Sequence, residues 1–321
     1  MPNTLLRNRQ LGSDVARVNL LVNGGFEWWQ RGNGPFSGYC ADRWALYPSN
    51  GGTGGTTISC SRDTANAEIA GACAAITPGG PSPSPAQPAQ IYQYAAHQND
   101  AAGLWGQVYG RPLSLALRVK TSVASAARAA MQIASNAYYG SYHTGNGQYQ
   151  TLTVSVTAAQ TSGLTAVGPT VALNMDALGT FYLDSAMLVI GSQPCDYVPM
   201  HPADDLARCL RYYRRWNFTS AADAPLLAHA NTTGSALVPL PSTAPMAVSP
   251  SLTTSALANL SLIFNSYGGW SSPTAISIHN YEPGMGTVVL YATGASGLIA
   301  GGLSGLGSSG GNGWIALEAN P

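Results

Sequence analysis

The chain has 321 residues, enough for about two domains by the usual domain length, yet only 9% are Asp, Glu, Lys or Arg, against about 25% in an ordinary soluble domain. Fourteen basic and fourteen acidic residues cancel, so the field that draws proteins to phosphate backbones or anionic lipid is absent, and nucleic acid is excluded as a partner. No run approaches the roughly 20 apolar residues of a spanning helix, so no membrane insertion is expected; the first twenty residues lack a signal-peptide stretch, which predicts folding in a cytosol.

In chain order, residues 1–18 are polar, carry Arg7, Arg9 and Arg17, and lack a core face; they read as an arm or as a frayed terminus that orders weakly. Residues 19–200 are strand-like. The stretch Asn19–Gly32 brings an apolar run, the Gly24-Gly25 pair and then Phe26, Trp28 and Trp29, and in a strand Trp28 and Trp29 face opposite ways. Thr56–Cys60, Leu113–Val119, Thr151–Val156 and Phe181–Leu183 alternate or are β-branched. Residues 77–90, with Pro78, Pro81, Pro83, Pro85 and Pro88, lack amide donors and are predicted to form an extended loop. A helix is predicted from Pro202, with Asp204 and Asp205 at its positive end, Arg208, Arg211, Arg214 and Arg215 toward its negative end, and Leu206, Cys209, Leu210 and Tyr213 on one face. It reads as a connector over 201–220. Residues 221–321 return to short β segments, Ala236–Val238, Leu260–Phe264, Ala275–Ile278, Thr287–Tyr291 and a closing Trp314–Leu317, while the Gly/Ser/Leu tract 301–313 is predicted to be a mobile loop. Short strands between Gly and Pro clusters define an all-β protein: a β-sandwich over 19–200, a short connector helix, and a smaller C-terminal β domain.

No catalytic constellation is found. His97, His143, His201, His229 and His279 lack zinc-ligand spacing, and there is no Gly-x-Ser-x-Gly elbow or phosphate loop. Cys40, Cys60, Cys73, Cys195 and Cys209 form an odd set without Cys-x-x-Cys spacing and read as free thiols. Asp42, Asp63, Asp176 and Asp184 read as turn or structural groups rather than a glycosidase pair. No catalytic residue, metal or cofactor is assigned. The richest binding segment is 136–149, where Asn136, Tyr138, Tyr139, Tyr142, His143 and Tyr149 offer aromatic faces and polar groups with little charge, the chemistry of a glycan site. Tyrosines so placed also suit an interface between subunits, and Trp105, Trp216 and Trp270 read as core or interface residues.

Asn23-Gly24-Gly25-Phe26, followed by Trp29-Gln30-Arg31-Gly32 and Ala41-Asp42-Arg43-Trp44, resembles the opening of a family of bacteriophage virion proteins of tail fibre, minor tail and head fibre type. Phe181-Tyr182-Leu183-Asp184 resembles the last strand of that family's module, and Tyr197-Val198-Pro199 with Asp205–Tyr213 its exit segment and helix. Met187–Gly191 departs from the family, which usually carries Gln-Leu-Glu before the glycine. The resemblance implies an N-terminal jelly roll like carbohydrate-binding modules and galactose-binding domains. It also implies residence in the virion, a homotrimer, partners among head or tail proteins, an arm (Arg7, Arg9, Arg17) docking on the particle, and contact with host surface polysaccharide. Calcium near Glu27 and Asp184 would suit such a module, though Ser185 replaces a second acid. Three functions stay open: an adhesive fibre or decoration component, a purely structural head-fibre, decoration or minor tail protein, and a polysaccharide depolymerase.

Overall fold

The computed structural model describes residues 18–49, 57–96, 104–165, 168–218, 226–241, 245–264, 269–283, 286–308 and 310–320. Arg7, Arg9 and Arg17, and with them the attachment arm, lie outside the described residues, as does His97. Contacts divide the described residues into two units that meet in sequence at Pro202/Ala203.

The first unit contains β1 (Ala45–Tyr47), β2 (Thr57–Asp63), β3 (Cys73–Gly79), β4 (Ala89–Tyr94), β5 (Leu113–Lys120), β6 (Ala127–Ile133), β7 (Asn136–Tyr142), β8 (Tyr149–Val156), β9 (Thr170–Met175) and β10 (Phe181–Ile190). They form two antiparallel sheets: a back sheet ordered β2-β3-β10-β5-β8 and a front sheet ordered β1-β4-β9-β6-β7. From β3 onward the chain crosses between sheets at every connection except the β6–β7 hairpin, which makes the unit a jelly-roll β-sandwich. Alternation decides the core. Leu113, Leu115, Leu117 and Val119 of β5 face Ala127, Ala129, Met131 and Ile133 of β6 and Val171, Leu173 and Met175 of β9 across one buried cluster. Two short helices, α1 (Leu104–Val108) and α2 (Ala158–Thr161), lie in the crossovers; Thr157 and Gln160 cap α2 reciprocally. Cys40, Cys60, Cys73 and Cys209 are buried free thiols, and Cys195 is half-buried. Burial and the neighbouring acids push the Cys73 thiol up to about 11.

The aromatic opening segment is not a strand. Residues 21–26 form bends and turns, because the positions with left-handed backbone are Asn23 (φ 54°) and Phe26 (φ 54°). The two glycines serve a different need. A Cβ on Gly24 would meet the Ala186 carbonyl and one on Gly25 the Tyr197 ring, so the pair lets the segment press onto β10. Asn19 pins it there: its amide donates to Ala186 O (2.8 Å), and its carbonyl oxygen accepts from Leu21 N (3.1 Å) and Leu188 N (3.0 Å). Asn23, fully buried, donates to Trp28 O (2.8 Å) and Asp42 O (3.2 Å) and accepts from Trp28 N (3.0 Å). Its own carbonyl accepts from Trp44 Nε1 (3.0 Å). Asp42 accepts from Gln30 N and Gln30 Nε2, and Trp44 packs on Phe26 with ring centroids 4.9 Å apart. The whole motif is therefore a buckle that closes one end of the sandwich.

The proline-rich stretch, expected as a loop over 77–90, departs from expectation at both ends, since Ala89 and Gln90 already belong to β4. Residues 77–79 belong to β3, with Pro78 opposite Ile58 of β2. Pro78 is tolerated because β10 pairs only with Ala74–Ile76 on the other side, beyond which no ladder asks for its amide.

The second unit contains α3 (Pro202–Cys209), β11 (Tyr213–Phe218), β12 (Leu226–Thr232), β13 (Ser235–Leu240), β14 (Ser251–Thr254), β15 (Ser261–Phe264), β16 (Gly269–Ser271), β17 (Ala275–Glu282), β18 (Thr287–Thr293), β19 (Leu303–Gly307) and β20 (Gly313–Glu318). The helix is thus eight residues long rather than a connector over 201–220. Tyr213, expected on its apolar face, instead opens β11, which pairs with the closing strand β20 through Tyr213↔Glu318. A turn at Leu210–Tyr212 ends the helix, and buried Arg214 donates Nε to Leu210 O (2.7 Å), meeting an end carbonyl. Strands β11-β20-β14 make a small sheet, and β16-β15-β19-β12-β13-β18-β17 a seven-stranded one; a second core between them includes Phe218, Leu262, Leu290, Leu306, Ile315 and Leu317. The tract 301–313, expected as a mobile loop, holds β19. Leu306 faces that core, and Gly305 lies between Leu227 and Ile263, whose side chains flank the position it leaves bare.

Candidate functional site

The outward face of the front sheet is a grid fixed by strand register. One row runs Tyr39↔Ala45↔Tyr92↔Ala172↔Ala130↔Tyr139 across β1, β4, β9, β6 and β7. Alanine at 172 and 130 leaves nothing beyond Cβ between Tyr92 and Tyr139, which stand three strand spacings, about 14 Å, apart. The result is a slot with tyrosine walls and an alanine floor. The neighbouring row is polar throughout: Tyr47↔Gln90↔Asn174↔Arg128↔Tyr142. On the other side stand Tyr94↔Thr170↔Gln132↔Ala137. Tyr92 and Tyr94 meet edge-on at 5.4 Å, and burial together with the nearby Tyr94 and Tyr39 pushes the Tyr92 hydroxyl up to about 12, so it stays a neutral hydrogen-bonding group.

Tyr139 and Tyr142 share this face because β7 is bulged. Between the Arg128↔Tyr142 and Ala130↔Tyr139 pairs, two residues of β7 oppose one of β6, which shifts the alternation by one. Gly140 sits in the bulge against β8, where a Cβ would meet the Thr153 carbonyl. Arg128 lies over both rings, 4.0 Å from the Tyr139 centroid and 4.9 Å from that of Tyr142. Asp176 Oδ2 accepts from Tyr142 OH (2.6 Å) and stands 3.3 Å from Arg128 Nε. Burial, and then the bond to Asp176, raises the Tyr142 hydroxyl above its ordinary value. Gln90 donates to Asn174 Oδ1 (3.0 Å), while among the described residues nothing bonds Asn174 Nδ2 or Asp176 Oδ1, both buried. A buried donor without an acceptor is costly, so this row holds polar capacity that the fold leaves unspent. The proline-rich loop closes one side, with Arg128 Nη2 donating to Pro85 O (3.1 Å).

The six residues of the expected 136–149 site do not form one surface. Tyr139, 45% exposed, and Tyr142 stand on the grid. Tyr138 turns inward against the core, and Asn136 is exposed at the hairpin end. His143 is buried, with Nδ1 accepting from Gly145 N (2.8 Å) and Nε2 against Gln148 O (3.1 Å), so both nitrogens are spent locally. Tyr149 belongs to β8, where its register partner is Lys120 of the back sheet. The residues missing from that expectation, Gln90, Tyr92 and Tyr94, alternate with inward Ile91 in a six-residue strand.

The outer face of the back sheet carries a groove of about 480 Å³ lined by Glu68, Arg118, Thr151, Ser185, Asp196 and Tyr197. Its charges are largely matched. Arg118 grips Glu68 through two bonds (2.6 and 2.8 Å) and holds its carboxyl below the usual range. Asp184, fully buried below, accepts from Glu68 N (2.6 Å) and Ile69 N; burial raises its carboxyl in spite of these amides. Among the described residues no three His, Cys, Asp or Glu side chains come together to hold a metal, Glu27 and Asp184 included.

No family model and no curated protein matches the chain. Among solved structures it is similar to the enzymatically active domain of tailspike protein 4 of bacteriophage CBA120, with 13% identity and a TM-score of 0.32 over 54% of this chain and 22% of that one. It is similar to a carbohydrate-binding module of family 4 (15% identity, TM-score 0.36, 53% and 98% of the chains). A third is the xylan-binding domain CBM22-1 of Paenibacillus barcinonensis Xyn10C (13%, 0.32, 56% and 98%). At TM-scores this low the likenesses carry no weight for function.

Proposed function

We propose that the chain is an adhesive structural protein whose jelly roll binds a glycan in the Tyr92–Tyr139 slot and whose oligomer, a homotrimer, belongs to a phage fibre or decoration. The observation that carries this is the grid: tyrosine faces on either side of an alanine floor, flanked by an amide row with Asn174 Nδ2 unspent. Sugars present C–H faces to aromatic rings and hydroxyls to amides, and they need no net charge. The virion role is supported by the resemblance of Asn23–Gly32 and Ala41–Trp44, and by a composition too poor in charge for a surface left bare in solution. Binding is favoured over cleavage because Asp176, the acid beside the grid, is engaged by Arg128 and Tyr142, and among the described residues no second carboxylate stands opposite it. A glycan array of bacterial capsular and O-antigen polysaccharides tests this. The expected result is a hit lost in Tyr139→Ala; an array without hits favours the purely structural virion protein.

A further inference from the structure

The seven-stranded sheet of the second unit has one face on its core, and its other face departs from the usual pattern. In an antiparallel sheet with one solvated face, outward positions are polar. Here Trp270 of β16, Ile263 of β15, Leu303 of β19, Leu227 of β12, Leu237 of β13, and Val289 and Tyr291 of β18 stand outward beside the uncharged polar groups His229, Ser277, His279 and Asn280, joined in register as Trp270↔Ile263↔Gly305↔Leu227 and Leu303↔His229↔Leu237↔Tyr291. Leu227 is 72% and Leu303 82% exposed. The seven strands contain a single Asp, Glu, Lys or Arg, Glu282 at the end of the edge strand β17.

We infer that this face is where the chain packs against a second copy of itself, an assignment that rests on the self-assembly part of the function proposed above. Seven strands of three to eight residues give roughly 600 Å² of projected face, which side-chain relief brings near the ~800 Å² per partner of a stable interface. A charged partner would find no counter-charge on these strands, whereas two such faces meet without like-charge repulsion and without stranding an ion. The same chain is the one partner sure to carry this surface, and three copies packed through it about a common axis close into the trimer proposed above.

Sedimentation velocity of the full chain over about a hundredfold range of concentration, on wild type, Leu227→Lys/Leu303→Lys, and a Leu178→Lys control in the first unit, tests the assignment. The expected result is an assembled wild type and control and a monomeric double variant with an unchanged far-UV spectrum, since both leucines lie in water in the free chain. A double variant that assembles as well as the wild type overturns the surface assignment and leaves self-assembly standing. A wild type that is monomeric throughout overturns both.

Discussion

Replacing Asn23 by alanine tests whether the buckle holds the sandwich closed. The side chain bonds Trp28 N, Trp28 O and Asp42 O at 2.8–3.2 Å, and none of its surface reaches water. Losing them costs about 1 kcal/mol each, with the bond to Asp42 O at the upper end because both groups are buried. The backbone there is left-handed (φ 54°), which alanine tolerates less well than asparagine by about 1 kcal/mol. The sum is about 3–5 kcal/mol, which in a unit of this size lowers its melting temperature by about 10 °C. Asn23→Gly separates the two causes: glycine loses the same bonds but has no left-handed penalty, so it should recover about 1 kcal/mol of the loss. Thermal unfolding followed by near-UV circular dichroism, where Trp28, Trp29 and Trp44 report on this end of the unit, reads both. A shift under about 2 °C for Asn23→Ala, or a glycine variant less stable than the alanine one, would refute the account of the buckle.

Gly24→Ala should destabilise more than Gly25→Ala, because its Cβ meets the Ala186 backbone carbonyl while that of Gly25 meets the Tyr197 ring, which can swing away; chemical denaturation midpoints rank the two. Asp184 has a raised folded pKa, so its contribution to stability is greatest at low pH and falls as pH rises from the unfolded value of 3.8 through the folded one. Asp184→Asn should therefore gain on wild type as pH is raised from 3.5 to about 6, measured as a difference between the two proteins because Glu68, held low by Arg118, works with the opposite sign. Arg128→Met should cost about 3 kcal/mol by leaving Asp176 buried without its cation, and Arg128→Met/Asp176→Asn should recover most of it. A double variant no better than the single one, in urea melts, would contradict the pairing.

Much of the fold was legible because alternation is local. Leu113–Val119 and Thr151–Val156 carry a period of two that needs no tertiary information, and they became β5 and β8. The tract 301–313 misled because glycine and serine have no intrinsic order; β19 exists through Leu306 and through neighbours on both sides that supply its hydrogen bonds. Tyr213 misled through spacing alone, since a helical face and the first residue of a strand look alike until β20 arrives from a hundred residues away. At the site, the inward Ile91 between Tyr92 and Gln90 was readable from the sequence. The bulge at Gly140 was not: strict alternation places Tyr139 and Tyr142 on opposite faces, and the extra residue of β7, where a side chain would meet Thr153 of β8, brings them to one face. The aromatic motif Asn23–Trp44 was conspicuous for a structural reason. Its polar atoms answer the backbone of their own loop, so it marks the fold rather than the ligand.

The central claim, a glycan held between Tyr92 and Tyr139, is tested most directly by calorimetric titration of an array-positive oligosaccharide into wild type and Ala130→Leu. The leucine fills the floor of the slot while leaving every tyrosine and amide of the grid in place. The account predicts heat of binding for wild type and at least a tenfold loss of affinity, about 1.4 kcal/mol, for the filled slot. Equal affinity in the two proteins would contradict it.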